Sequence, residues 1–89
     1  MRTFIIANDG QYTPGDMPTM KVVKLKDFRK LMMYMGFLYE DKEYDGEEIP
    51  TNNDLIKEFN TANGDGSAFW LVKELVEGKV VAVKELKKT

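Results

Sequence analysis

The sequence predicts a small single-domain α+β fold in the order β-β-α-α-β-β, an antiparallel sheet with both helices on one face. Three observations lead there. Short runs of β-branched and aromatic residues lie at both ends of the chain. The middle carries apolar residues at helical spacing. Turn signals at Asn8-Asp9-Gly10, Asn63-Gly64 and Glu77-Gly78 separate the segments. At 89 residues, with 43% hydrophobic and 31% charged residues, the chain is long enough for one core and has the balance of a folded domain.

Thr3–Asn8 is β-branched and aromatic and reads as the first strand. Residues 9–19 hold two glycines and two prolines, so a loop is expected, with Tyr12 folded back over the core. Met20–Leu25 reads as the second strand, with the first turns of the following helix as the alternative. Asp27 can cap a helix running through about Glu40, with Phe28, Leu31, Met32, Met35, Leu38 and Tyr39 on its inner face. Met33, Tyr34 and Phe37 widen that apolar stripe beyond what one face needs. Three methionines within four residues suit a surface that repacks around a target.

Thr51 and Asp54 form a capping pattern ahead of Leu55, Ile56 and Phe59, and Asn63-Gly64 closes this second helix. Residues 68–75 and 79–86 then read as two strands about a Glu77-Gly78 turn. A helix over 67–77 is the alternative pattern, but Phe69, Trp70, Val72, Val80, Val81 and Val83 favour the hairpin. The expected core is Phe4, Ile6, Val23, Leu25, Phe28, Leu31, Met35, Leu38, Leu55, Phe59, Trp70, Val72, Val81 and Val83.

Composition narrows function by exclusion. The sequence has no cysteine and no histidine, which removes disulfides, zinc sites of nitrogen and sulfur, and the usual acid–base residue near neutral pH. Ser67 is the single serine and has no histidine to activate it. The glycines of residues 64–67 match no phosphate loop, so no enzyme and no cofactor are expected. The N-terminal apolar run is too short for a signal peptide or a membrane span. A cytosolic protein without a membrane partner is therefore expected.

Charge is unevenly spread. Residues 1–39 carry +3, residues 40–54 carry −6 and residues 55–89 carry +1. The acidic block EDKEYDGEEIPTNND presents Glu40, Asp41, Glu43, Asp45, Glu47, Glu48 and Asp54, the last assigned to the helix cap. Its opening, Asp41-Lys42-Glu43-Tyr44-Asp45-Gly46, resembles the start of an EF-hand loop, which would imply calcium binding through Asp41, Glu43 and Asp45. The likeness covers six residues and departs at the twelfth position, where Asn52 replaces the bidentate glutamate. A second alternative is nucleic-acid binding through Lys21, Lys24, Lys26, Arg29 and Lys30, with Phe28 and Tyr34 stacking on bases. It conflicts with the acidic net charge of −2.

The leading expectation is a small non-catalytic protein-binding module of the regulator or inhibitor type. Its contacts would be Glu40, Asp41, Glu43, Asp45, Glu47 and Glu48, with Met33, Tyr34 and Phe37 of the Met-rich helix. A basic nucleic-acid-binding protein is the kind of partner such charge would capture. Small phage-encoded inhibitors share this size and concentrated charge, though no motif is shared. Self-association through the helix is equally compatible with the pattern.

Overall fold

The computed structural model describes residues 1–8, 19–42, 46–64 and 70–86. Strands β1 (Arg2–Asn8), β2 (Thr19–Leu25), β3 (Trp70–Val76) and β4 (Lys79–Ala82) form one sheet in the order β2-β1-β3-β4, every neighbour antiparallel. Helices α1 (Phe28–Met35) and α2 (Asn52–Gly64) intervene between β2 and β3. The predicted order, sheet and helix placement are therefore all present. Tyr12 and residues 9–18 of the expected loop lie outside the described residues, while Thr19, expected in that loop, begins β2.

Strand alternation decides which side of the sheet is buried. Phe4 and Ile6 of β1 stand beside Val23 of β2 and Val72 of β3. Phe4, Ile6 and Val72 join Phe28, Leu31 and Met32 of α1, Leu38 of the connection, Leu55 and Phe59 of α2, and Val83 in one buried core. Both helices thus cover the same face. Thirteen of the fourteen expected core residues are buried or packed against this core. Val81 is the exception, because it sits on the edge strand beyond the helices and stays exposed.

Helix α1 starts as expected, with the Asp27 side chain accepting from the Lys30 amide at 3.0 Å. It does not run to Glu40. Gly36, at φ 86°, enters the left-handed region, its amide bonds Met33 O, and the Phe37 amide bonds Met32 O at 2.8 Å. These are the paired bonds that terminate a helix at a glycine, and they stop α1 at Met35. Tyr39, expected on the inner helix face, is consequently in the connection and 92% exposed.

Helix α2 begins with the reciprocal cap read from the sequence. The Thr51 amide donates to Asp54 Oδ2 at 2.9 Å, and the Asp54 amide donates to Thr51 Oγ1 at 3.2 Å. Hydrogen bonds from the Thr51 amide and hydroxyl to the Asp54 carboxylate hold it below its ordinary range. At the other end, Asn63 exchanges two hydrogen bonds with the backbone of Trp70 and fastens α2 to the start of β3.

The β3–β4 hairpin closes through Glu77 and Gly78, at φ 51° and 78°, the two positive values of a type I′ turn. Strand β4 ends at Ala82, earlier than the sequence suggests, because the chain turns inward to bury Val83. That turn brings Glu85 to Arg2. The Arg2 guanidinium donates to both oxygens of Glu74 at 2.9 Å and to both oxygens of Glu85 at 2.7 and 3.0 Å. It also lies 5.0 Å from the ring centre of Phe4. The Arg2 bonds hold the Glu74 carboxyl below its usual range. At Glu85 burial pushes upward, but the Arg2 hydrogen bonds and further favourable contacts prevail, and the net shift is downward.

Candidate acidic cleft between the helices

Once α1 has stopped at Met35, sixteen residues must lead back to α2, and this connection contains the acidic block. Arg29, on the first turn of α1, fastens both ends of it. Its guanidinium donates to Asp41 Oδ1 at 2.6 Å, to Asn52 Oδ1 at 2.9 Å and to the Pro50 carbonyl at 2.7 Å. Arg29 is thus engaged in holding the fold, and Asp41 is its counter-ion.

The clasp shapes a cleft of about 230 Å³ lined by Phe37, Leu38, Tyr39 and Pro50 together with Glu40, Lys42, Glu47 and Glu48. Its apolar side is anchored, because Leu38 belongs to the core and Phe37 meets Phe59 edge-to-face at 5.5 Å between ring centres. Its charged side is open, with Glu47 and Glu48 exposed. Glu40 Oε2 is shielded from solvent and has no hydrogen-bond partner. Lys42 Nζ is 3.6 Å from it, within ion-pair range but beyond hydrogen-bonding distance. The oxygen therefore keeps unused acceptor capacity beside an apolar wall.

Of the residues singled out from the sequence, Glu40, Glu47, Glu48 and Phe37 come together at this cleft. Asp41 is nearby but bonded to Arg29. Glu43 and Asp45 lie outside the described residues. Met33 packs against the core with Lys30 Nζ 3.9 Å from its sulfur, and Tyr34 is 48% exposed on α1. The Met-rich helix therefore directs its methionines mostly inward, with Met32 fully buried.

Tyr39, Lys42 and Pro50 line the cleft and were not singled out from the sequence. Tyr39 was assigned to the inner face of a longer helix. Gly36 was the available signal, since glycine after an apolar helical run marks a terminus.

The other two expectations gain little from the geometry. An EF-hand needs a helix leading into its first ligand, whereas α1 ends six residues before Asp41 and Arg29 occupies that carboxylate. Among the described residues, no group of three or more acidic, histidine or cysteine side chains is placed to hold a metal ion. For nucleic acid, Phe28 is buried and cannot stack on a base. Lys21 and Lys24 point to opposite faces of β2, and Arg29 is committed to its clasp. Among the described residues no helix is long and apolar enough to cross a membrane. No family model, curated protein or solved structure matches the chain.

Proposed function

We propose that this chain is a small non-catalytic protein-binding module, of the regulator or inhibitor type. Its acidic interhelical cleft takes a lysine or arginine side chain from a protein partner. One observation carries the reading: three carboxylates, Glu40, Glu47 and Glu48, against the single cation Lys42, gather around an apolar lining of Phe37, Tyr39 and Pro50. Lysine and arginine have the matching composition, an apolar stem ending in a cation. Charge-assisted hydrogen bonds to carboxylates are stronger than neutral ones, and Glu40 Oε2, in ion-pair range of Lys42 but not hydrogen-bonded, supplies one such acceptor.

A basic nucleic-acid-binding protein fits this description, since its phosphate-contacting surface is built from lysine and arginine. The cytosolic setting expected from the N-terminal sequence goes with this proposal.

Glu47→Ser combined with Glu48→Ser tests it. Both residues are exposed, so the circular dichroism spectrum should be unchanged. Capture of the partner from lysate of the native cells should be lost in the double variant, and wild-type capture should weaken as salt is raised. Equal capture by wild type and variant would rule out the cleft as the contact.

A further inference from the structure

The sheet has a second face, turned away from the helices, and its composition is unusual for a surface left to water. Pairing aligns three rows across it. Lys24, Thr3, Leu75 and Val80 form the first; Val22, Ile5, Lys73 and Ala82 the second; Met20, Ala7 and Leu71 the third. Eight of these eleven side chains are apolar, and Met20 (73%), Val22 (61%), Leu71 (51%) and Val80 (61%) are exposed. Strands about 4.8 Å apart with a rise of about 3.3 Å per residue make this a patch on the order of 300 Å². That is within the range of the largest apolar patch on a monomer, and such patches are often functional.

Its polar residues identify the occupant. Among the described residues the face carries two cations, Lys24 and Lys73, and no carboxylate. Neither lysine has an ion-pair partner. Lys73 sits in the middle of the face, paired with Ile5 on one side and Ala82 on the other. A second copy stacked face to face would bring two Lys73 ammonium groups into a dry interface without a counter-charge. The area also falls short of the roughly 800 Å² per partner that a stable dimer buries. Single-stranded nucleic acid lacks a stacking platform, because among the described residues the face has no aromatic side chain.

We infer that the open sheet face docks an amphipathic helical segment of another protein, apolar on its inner side and carrying carboxylates over Lys73 and Lys24. A helix is about 10 Å across and covers three strands. The two lysines are two strands and one row apart, roughly 12 Å, which matches carboxylates separated by about two helical turns. This site lies on the opposite side of the sheet from the helices and does not rest on the cleft.

Selection from a displayed library of helix-forming peptides, with a constant apolar stripe and randomised flanking positions, against the full chain tests the inference. Enriched peptides should carry Asp or Glu about two turns apart. They should bind Lys73→Glu about tenfold more weakly or worse, and bind Glu47→Ser/Glu48→Ser unchanged. Counterparts with lysine in place of the carboxylates should prefer Lys73→Glu, which also shows that this variant is folded. Lys73→Gln serves as the second variant. No enrichment, enrichment of neutral or basic peptides, or indifference to both Lys73 variants would overturn the inference. So would a concentration-dependent dimer in sedimentation that Leu71→Ser dissociates, since the face would then belong to a second copy.

Discussion

Arg2 closes the sheet onto the C-terminal turn, and its chemistry sets how the protein responds to acid. Both of its carboxylate partners titrate below the ordinary value near 4.5. A depressed carboxyl stabilises the fold above its unfolded pKa, and that contribution disappears as pH falls through the lower folded value. All three side chains are mostly buried. Replacing Arg2 leaves two carboxylates facing each other with no hydrogen-bonded cation and only the charge of Lys84 nearby, so Arg2→Met should cost about 2–3 kcal/mol at neutral pH. Urea unfolding at pH 7 and pH 3 measures this. The gap between wild type and variant should be widest at pH 7 and narrow towards pH 3. An equal gap at both values would show that the network contributes packing and not charge. No local pattern announces these pairs, because Arg2 lies 72 residues from Glu74 and 83 from Glu85. Arg29 was hidden in the same way: as one of five nearby cations it reads as surface charge, while its three hydrogen bonds build the cleft wall.

Elements were legible wherever the signal was local. The Thr51–Asp54 cap, the Glu77-Gly78 turn and the strand alternation of β1 each depend on residues a few positions apart, and each was readable. The end of α1 was misjudged because apolar residues continue past Gly36 as Phe37, Leu38 and Tyr39. Helical periodicity was followed through a residue whose backbone ends the helix. Glu77 gives an element-level prediction. It holds φ 51°, a conformation that side chains with a Cβ disfavour and that asparagine tolerates better. Glu77→Asn should therefore stabilise the hairpin by about 0.5–1 kcal/mol, seen as a higher thermal midpoint. A lowered midpoint would mean that Glu77 makes a compensating contact.

At the scale of the whole molecule, the arrangement has two unlike surfaces. The helical layer carries an acidic cleft at the α1–α2 connection, and the far side of the sheet carries an apolar face with two lysines. The sequence showed the charge asymmetry but not its placement. That required knowing where α1 stops and which strand residues face away from the helices. The apolar face was invisible to the core prediction for a related reason: period-two alternation says that strands have two sides, while pairing register says which side the helices cover.

Site-specific photo-crosslinking in the native cells shows whether the cleft holds a basic side chain of a protein partner. A crosslinking residue replaces Tyr39, which lines the cleft and is almost fully exposed, or Glu58, on the exposed side of α2, as control. A discrete adduct should form from position 39, mapping to a lysine- or arginine-bearing segment of one protein, and none from position 58. No adduct from position 39, or the same adducts from both positions, would contradict that contact.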